Sequence, residues 1–416
     1  MKIKLTVRQN QFLVSPWPLC LEKACTVTLT QKKFFYDPKD PRPITFTHIP
    51  MYTKLSEQGG IVYTGFLQRV LKALAKEEHE VEVEDQRIKP SGTVPELPEG
   101  SEGYRAGQRE FIHAILNNHS GIGQAPPAFG KSFCIGQICK VLCKEKILVT
   151  TSRKTVVTML LQRLKATLPD RRIKLCDGAK PFDETCDIVV CSSKSLHKIP
   201  TEWPQVLLFD EVHGAAGPQV CRVLGNMTNV RFYGFSATPT GRGDNGDKLV
   251  EALFGPVIYK MNYEQALANG NVTQTQVRMV PIKGANLEFH DTTAMNRYGY
   301  WRNTQRNKKI AEVVEALQAE GLEKILILVN TAEHAFHLRL FLPKFKIVHA
   351  GLSLEKFNEF KKNGLLTPTD SPTVDVDKLA IEFKEAKNLG IISTPKWREG
   401  FRWNALHSSN TVSKLS

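Results

Sequence analysis

The 416-residue chain carries a formal net charge of +14 at pH 7, with 41% hydrophobic and 24% charged residues. This length exceeds one ordinary hydrophobic core and predicts two or three globular domains. No run of about 18 apolar residues is present, which excludes a membrane-spanning helix, and the opening residues lack the apolar stretch of a secretory signal. The positive charge favours a polyanionic partner such as nucleic acid, although ordinary solubility charge would give the same balance.

The first predicted domain, residues 1–88, is small, basic and α+β. Residues 1–55 hold nine Lys or Arg against three Asp or Glu. β-prone stretches such as ACTVTLT accompany one predicted helix, GFLQRVLKALAKEEHE, whose Leu and Val side chains recur at i, i+3, i+4 and i+7 and so share one face. The segment KPSGTVPELPEGSEG, residues 89–103, is rich in Pro, Gly and Ser and predicts a linker.

Residues 104–275 and 276–416 each alternate helical patterns with short apolar runs. Continuous runs of Val, Ile and Leu separated by helices indicate a parallel sheet covered on both faces. The runs are KILVTTS (146–152), DIVVCSS (187–193), QVLLFDE (205–211) and VRFYGFSAT (230–238), then EKILILVN (323–330), FKIVHAG (345–351) and LGIISTP (389–395). The sequence therefore predicts two α/β lobes in tandem, with a surface insertion at 362–378.

A candidate phosphate-binding loop lies in QAPPAFGKS, residues 124–132. The full pattern has Gly, four residues, Gly, Lys and then Ser or Thr. Here Gly130, Lys131 and Ser132 fit, whereas Ala125 stands in place of the first glycine. In such a loop backbone N–H groups and the helix dipole bind the phosphates, the lysine neutralises them, and the hydroxyl takes a Mg²⁺ position. With one glycine missing, this match alone does not separate a nucleotide site from chance.

Two carboxylates end the apolar run VLLFDEVH, residues 206–213. Asp210 at a strand end can hold Mg²⁺, and Glu211 can polarise an attacking water. An isolated Asp-Glu pair after a strand is usually a solvated turn. Here, however, the pair follows Lys131 by enough chain for two strand–helix units, and SATPT begins soon after, at Ser236. These signals, in this order on the expected elements, favour a nucleotide site.

These segments resemble the motifs of the superfamily 2 helicases and translocases. APPAFGKS is similar to motif I, in which alanine opens the loop, although PA stands where TG is usual; DEVH resembles the DEAH-type motif II, and SAT matches motif III. The resemblance covers about residues 100–403, and residues 252–272 are similar to a segment of DNA-directed members, including XPB-like, type III restriction and phage UvsW-like enzymes. It implies two RecA-like lobes after the small α+β domain, with ATP and Mg²⁺ as cofactors.

The resemblance also assigns site residues. Catalysis falls on Lys131, Asp210 and Glu211, and Mg²⁺ binding on Ser132 and Asp210. Motif I and the upstream segment GYRAGQREFIHAIL supply the nucleotide-binding positions: Arg105, Gln108, Pro127, Ala128, Phe129, Gly130, Lys131 and Ser132. Coupling to nucleic acid falls on His213, Ser236, Thr238, Glu399 and Gly400. Nucleic-acid contacts fall on Arg153, Lys154, Lys194, Arg306 and Thr394, and the basic and aromatic pattern of residues 297–310 adds Arg302. For the upstream segment, a capped surface helix is the alternative.

The C-terminal residues depart from the family pattern. Arg402 stands where the family continues motif V with an aspartate, and FRWNALHSSNTVSKLS, which follows Gly400, lacks the Gln–Arg–Gly–Arg type of motif VI. In the family such an arginine stabilises transition-state charge, which is worth about 10³–10⁵ in rate. We therefore expect a truncated or frameshifted end, with Arg398 and Arg402 as poor substitutes.

The segment RYGYWRNTQRNKKI, residues 297–310, interleaves cations with aromatic rings. Cations neutralise phosphates while rings stack on bases, so this segment is a candidate nucleic-acid surface. An inter-lobe hinge with packed aromatic side chains is an equally weighted alternative.

The cysteine pattern predicts a reduced, cytoplasmic chain, because the nine cysteines include no C-x-x-C pair. Cys134, Cys139 and Cys143 are better explained by burial of a helix face than by a metal cluster.

The function that the resemblance implies is ATP-dependent unwinding or remodelling of duplex, forked or branched DNA, with no membrane partner. Three alternatives stay open. They are an RNA helicase, a translocase that leaves strands paired, and a truncated ATP- and DNA-binding protein without efficient turnover.

Overall fold

The computed structural model describes residues 1–32, 44–88, 90, 93–94, 96, 103–152, 154–274, 276–282, 291–394 and 413–415. The chain divides into two compact units, Met1–Gln274 and Thr275–Ser416. The finer division of the first unit into residues 1–88, 89–103 and 104–275 stays a prediction. No helix within the described ranges is long and apolar enough to cross a bilayer.

The first unit begins with a five-stranded mixed sheet and a separate two-stranded ladder. The elements are β1 (Lys2–Val7), β2 (Gln11–Ser15), α1 (Cys20–Ala24), β3 (Thr26–Lys32), β4 (Ile44–Pro50), β5 (Tyr52–Ser56), β6 (Gly59–Tyr63), α2 (Leu67–Lys76) and β7 (Glu80–Asp85). The sheet order is β5-β6-β2-β1-β7, and β3 pairs with β4. The predicted helix is confirmed as α2, whose Val70 and Leu74 are fully buried.

Strand β7 was not predicted, because its sequence EVEVED is dominated by acidic residues. It pairs in parallel with β1, and the facing lysines explain why the acidic side chains are tolerated. The Lys2 amine lies 3.2 Å from the Glu82 carboxylate, and the Lys4 amine lies 2.8 Å from that of Glu84. Cross-strand pairs of opposite charge favour strand pairing.

The N-terminal sheet shares a hydrophobic core with the rest of its unit. A Cβ at Gly65 would overlap the backbone carbonyl of Glu251, so only glycine permits this approach. Arg69 contacts the Glu251 carboxylate at 3.3 Å, and the Gln11 amide donates to the Gly225 carbonyl at 3.0 Å. Residues 1–88 are therefore anchored on the larger sheet that follows.

That larger sheet has seven strands, all parallel, in the order β10-β11-β9-β12-β13-β8-β14. Its strands are β8 (Gly121–Gln124), β9 (Ile147–Thr151), β10 (Ile173–Cys176), β11 (Ile188–Ser192), β12 (Val206–Asp210), β13 (Arg231–Ser236) and β14 (Val257–Lys260). The helices are α3 (Gln108–Leu116), α4 (Lys131–Val141), α5 (Lys154–Thr167), α6 (Pro218–Gly225), α7 (Gly246–Phe254) and α8 (Tyr263–Ala268). The four predicted strands of this block are confirmed as β9, β11, β12 and β13.

Strand β8 was not predicted, because its sequence, GIGQ, is half glycine. The glycines are required by packing, since a Cβ at Gly121 would overlap Ile258 and one at Gly123 would overlap the Phe111 ring. The backbone of β8 thus lies close against its neighbours, and the phosphate-loop candidate leaves directly from its end.

The second unit has a parallel four-stranded sheet in the order β16-β17-β15-β18. Its elements are α9 (Thr292–Ala294), a π-helical segment (Met295–Trp301), α10 (Thr304–Ala319), β15 (Lys324–Leu328), α11 (Ala332–Arg339), β16 (Lys346–Val348), α12 (Leu354–Lys362), α13 (Val376–Glu385), β17 (Leu389–Ser393) and β18 (Ser413–Leu415). The three strands predicted for this block are confirmed as β15, β16 and β17.

The predicted surface insertion at 362–378 is partly anchored. Leu365 is buried in the core of this unit, and Arg339 binds the Asp370 carboxylate through both terminal nitrogens, at 2.6 and 2.5 Å. The expectation of a surface insertion holds for the exposed part of the segment.

Candidate nucleotide site

Three candidate segments meet at the carboxyl edge of the seven-stranded sheet. Strands β12, β13 and β8 are neighbours, with Asp210 in register with Phe235 and Ser236 in register with Gln124. The backbone N–H of Ala125 donates to the Ser236 carbonyl at 3.1 Å. In open parallel sheets ligands bind outside the carboxyl ends of the strands. The loop after β8, the carboxylates after β12 and the SAT segment after β13 therefore share the usual ligand-binding edge.

The phosphate-loop candidate has left-handed backbone at two positions. Ala128 has φ of 66° and Gly130 has φ of 100°. Two separate reasons exclude a side chain at position 130. The φ of Gly130 favours glycine, and a Cβ there would overlap the Gln108 amide. Helix α4 starts at the next residue, Lys131, and the first-turn N–H groups of a helix have no intrahelical partners. The turn therefore brings backbone N–H donors and the N-terminus of α4 close together.

Lys131 is held inside this turn. Its side chain is 8% exposed, and its Nζ donates to the carbonyls of Ala125 and Pro126 at 3.1 and 3.4 Å. Ser132 follows in the first helical turn and is half-buried. The amine and the hydroxyl thus lie at the start of α4, on the loop that leaves β8.

Gln108 and Arg105, the expected base-reading residues, both bind the loop backbone. The buried Gln108 side chain donates from Nε2 to the Phe129 carbonyl at 2.6 Å and accepts from the Arg105 backbone N–H at 2.9 Å. The Arg105 guanidinium donates to the Ala128 carbonyl at 3.3 Å. Gln108 is 2% exposed, so the structure does not support a capped surface helix. Whether these groups also contact a base stays a prediction.

Phe129 anchors the loop through its side chain. The ring is fully buried and lies 5.4 Å from the Phe111 ring and 6.5 Å from the Tyr259 ring, between centroids. The Tyr259 hydroxyl donates to the Gly107 carbonyl at 3.1 Å, and burial raises the pKa of Tyr259 to about 12, which keeps this donor neutral. Of the residues assigned to nucleotide binding, Phe129 can therefore contribute only its backbone, whereas Pro127 is exposed.

The carboxylates lie at a sharp turn after β12. Asp210 is 4% exposed, and its Oδ1 accepts the Glu211 backbone N–H at 3.1 Å. Glu211 has φ of 55°, and this left-handed residue ends the strand. A buried carboxylate at the sheet edge offers the oxygen ligands that Mg²⁺ prefers.

A chain of contacts joins this turn to the SAT segment. The Glu211 carboxylate lies 3.5 Å from His213 Nδ1, which lies 3.1 Å from the Ser236 hydroxyl. The same hydroxyl accepts the Thr238 backbone N–H at 3.2 Å. Four of the residues assigned to catalysis and coupling therefore form one continuous chain of contacts.

Sequence reasoning missed Arg242 and Asp244, which extend this chain. Arg242 donates to the His213 carbonyl at 3.1 Å and pairs with both Asp244 oxygens, at 2.9 and 2.7 Å. The hydrogen bonds from Arg242 lower the pKa of Asp244 to about 2. The Asp244 carbonyl accepts the Thr30 N–H of β3 at 3.1 Å. The polar turn GRGDN after SATPT is the signal that could have pointed to these two residues. Their partners, His213 and Thr30, are distant in sequence.

The remaining assigned residues are scattered or outside the described ranges. Arg153, Glu399 and Gly400 lie outside them, as do Arg398 and Arg402, and nothing is described for the Lys154 side chain. Lys194 is exposed in a 3₁₀ helix, Ser193–Lys198. Thr394 follows β17 and is 7% exposed, and its N–H donates to the Val348 carbonyl at 2.9 Å.

Arg302 and Arg306 stand at the junction of the π-helical segment and α10. Arg302 pairs with Glu333 at 2.6 Å, and its guanidinium lies 5.7 Å from the Tyr298 ring centre. Arg306 lies 5.1 Å from the centre of the Tyr300 ring. The two tyrosines are 53% and 40% exposed. The cations and rings therefore form a pre-arranged, partly exposed surface, and the tyrosine rings are not packed in a core.

Comparison with known proteins supports the motif resemblance. Residues 102–241 match the family model of the type III restriction enzyme, res subunit. "Putative helicase 055L" of frog virus 3 (isolate Goorha) is 30% identical over 139 residues, which are 32% of this chain and 31% of that protein. The matched residues include the segments that resemble motifs I, II and III of the superfamily 2 helicases. The chain spans about a third of the length of its frog virus relative.

Similarity to solved structures extends beyond that match. Bacteriophage T4 UvsW is similar at a TM-score of 0.50 and 13% identity, over 95% of this chain and 90% of that chain. S. cerevisiae Dbp5 bound to RNA and ADP BeF3 has a TM-score of 0.45 at 12% identity, over 72% of each chain. The expected fold class, parallel-sheet α/β of the RecA-like type with a small α+β N-terminal region, is confirmed.

Proposed function

We propose that the protein is an ATP-dependent DNA helicase or translocase that couples ATP hydrolysis to the unwinding or remodelling of duplex, forked or branched DNA. The observation that carries the proposal is the convergence of three segments on one sheet edge. The loop of Lys131, the turn of Asp210 and Glu211, and the hydroxyl of Ser236 lie at the ends of adjacent strands. A binding edge with a buried amine, a helix N-terminus and two carboxylates fits a nucleoside triphosphate with its metal.

The donor set also fits Mg²⁺. Asp210 supplies a carboxylate that is 4% exposed, and Ser132 supplies a hydroxyl at the first turn of α4. Hard oxygen ligands of this kind, completed by water and phosphate oxygens, are the usual environment of Mg²⁺ in nucleotide sites. Bound Mg²⁺ would neutralise charge on the phosphate oxygens as hydrolysis proceeds.

Other residues of this chain bind the phosphates, orient the water and couple hydrolysis to movement. The Lys131 amine, together with the N–H groups at the start of α4, holds the phosphates. The Glu211 carboxylate orients the attacking water toward the terminal phosphate. His213 contacts both Glu211 and Ser236, so a shift of Glu211 during hydrolysis changes the position of the SAT segment. This contact chain is the proposed link between hydrolysis and movement on nucleic acid.

The nucleic-acid part of the proposal rests on other residues. Lys194, Arg302 and Arg306 are at least partly exposed and positively charged, and cations with neighbouring rings suit single strands. The preference for DNA comes from the resemblance at residues 252–272. In the structure this segment contacts the turn before α3, since the Asn271 amide donates to the Ala106 carbonyl at 3.0 Å. The choice between DNA and RNA is tested in the assay below.

The test is steady-state ATP hydrolysis by the full chain, alone and with forked DNA or a fork of the same sequence in RNA. We expect hydrolysis to rise with forked DNA and to disappear in both Lys131→Ala and Glu211→Gln. Strand displacement from the labelled fork then separates unwinding from translocation, in which only a bound third strand is displaced. Stimulation by RNA alone would replace the DNA assignment with an RNA helicase. Binding of ATP and DNA without turnover in the wild type would replace it with a non-hydrolysing binding protein.

A further inference from the structure

Three side chains in the N-terminal part of the first unit bring metal-ligating atoms together. The Cys20 thiol, a Glu77 carboxylate oxygen and a ring nitrogen of His79 all lie within 4.8 Å of one another. These residues belong to no segment assigned to ATP or nucleic acid. Elsewhere in the described ranges, no other group of at least three His, Cys, Asp or Glu side chains comes this close together.

The local backbone explains why the three groups converge. Cys20 is the first residue of α1, which packs against α2. Glu77 caps the end of α2, and Glu78 then turns the chain with φ of 54°. The His79 N–H returns to the Leu74 carbonyl at 3.1 Å. This turn places Glu77 and His79 at the same end of α2 that faces the start of α1.

The surroundings hold this arrangement in place. Leu21 beside Cys20 and Leu74 near the end of α2 are both fully buried in the same core. Cys20 and His79 are half-buried, whereas Glu77 is exposed, so the cluster opens to solvent on one side. Two ligands are therefore pre-positioned, and the third can adjust to an incoming ion.

The ligand types select the metal. Thiolate, imidazole and carboxylate together suit Zn²⁺, whereas Mg²⁺ and Ca²⁺ take oxygen ligands and avoid thiolate. We propose that Cys20, Glu77 and His79 form a Zn²⁺ site that joins the start of α1 to the end of α2, with water as the fourth ligand. Three protein ligands plus water is a common tetrahedral set for this ion.

The thiol changes its protonation state on binding. A sulfur–zinc bond replaces the sulfur–hydrogen bond, and the proton leaves to the solvent. No redox partner is needed, because neither the metal nor the sulfur changes oxidation state.

The experiment uses the full chain after treatment with a chelator. Zn²⁺ is titrated against a chromophoric chelator, and Co²⁺ is titrated separately to observe the near-ultraviolet band of a thiolate–cobalt bond. We expect one Zn²⁺ and one thiolate-bound Co²⁺ per chain. Cys20→Ser should abolish the band, and Glu77→Gln and His79→Gln should each weaken Zn²⁺ binding by at least about tenfold, which corresponds to 1.4 kcal/mol.

Two control variants keep the result interpretable. Glu78→Gln removes the same charge one residue from Glu77, and Cys143→Ser removes a half-buried thiol elsewhere; both should bind Zn²⁺ like the wild type. Zn²⁺ should also raise the melting temperature of the wild type and of both controls but not of Cys20→Ser. Equal Zn²⁺ affinity in wild type and Cys20→Ser would overturn the site, as would the absence of binding in the wild type. None of these readouts depends on ATP hydrolysis.

Discussion

The substitution Gly130→Ala tests the loop geometry that places Lys131. The new methyl group meets two penalties that the structure defines separately. A residue with a side chain at φ of 100° costs about 1–2 kcal/mol. The Cβ also displaces the Gln108 amide, and the loss of the buried hydrogen bond from Gln108 to the Phe129 carbonyl at 2.6 Å costs about 1–3 kcal/mol. Together the free energy of unfolding of the first unit should fall by about 2–5 kcal/mol.

Denaturant unfolding and equilibrium nucleotide binding measure the two consequences of Gly130→Ala. We expect a lower unfolding midpoint and weaker ATP binding, because Gln108 can no longer hold the loop. Gly178→Ala is the matched control, since a Cβ at Gly178 meets no atom within 4 Å. In the double variant Gly130→Ala with Gln108→Ala, the overlap disappears. Its loss of unfolding free energy should therefore be smaller than the sum of the losses in the two single variants. Wild-type stability and nucleotide affinity in Gly130→Ala would refute this description of the loop.

Three further predictions follow from single groups. Ala128→Gly should raise the free energy of unfolding by about 1 kcal/mol, because alanine at φ of 66° is strained. A lower free energy of unfolding, measured by denaturant titration, would contradict this. Arg242→Ala removes a charged hydrogen bond to the His213 carbonyl, worth about 1.5–3 kcal/mol, so nucleic-acid-stimulated kcat should fall about tenfold or more with little change in KM for ATP; an unchanged kcat would exclude a coupling role for Arg242. Burial lowers the pKa of His334 from 6.5 to about 4, so the unfolded state binds more protons in that window, and lowering the pH from about 7.5 to about 5 should cost about 2 kcal/mol of stability. His334→Gln should lose this part of the pH dependence in denaturant unfolding, and an unchanged slope would argue against the buried neutral imidazole.

The elements that carry a local signal were predictable from the sequence. Strands β9, β11, β12 and β13 are continuous apolar runs, and each lies where its run predicts. The pattern of Gly130, Lys131 and Ser132 likewise marked the start of α4. By contrast, β7 and β8 were missed, because acidic side chains and glycines hide their strand character until the facing residues are known.

Much of the candidate site depends on contacts between distant residues. The binding of Gln108 to the Phe129 carbonyl and of Arg242 to the His213 carbonyl joins groups 21 and 29 positions apart. Phe129 was assigned to the nucleotide, but its ring fills the core, and only tertiary packing reveals this. No spacing rule brings such partners together, so they become visible only in the folded chain.

Equilibrium binding of a fluorescent ATP analogue with Mg²⁺ tests the central claim most directly. Lys131→Ala and Asp210→Asn each remove one charged group from the proposed grip on the triphosphate and its metal. Each should weaken binding by at least about tenfold, since one charge-assisted contact is worth about 1.5–3 kcal/mol. Lys140→Ala, which removes an exposed lysine from the same helix, should bind like the wild type. Wild-type affinity in Lys131→Ala would contradict the nucleotide site and, with it, the proposed motor activity.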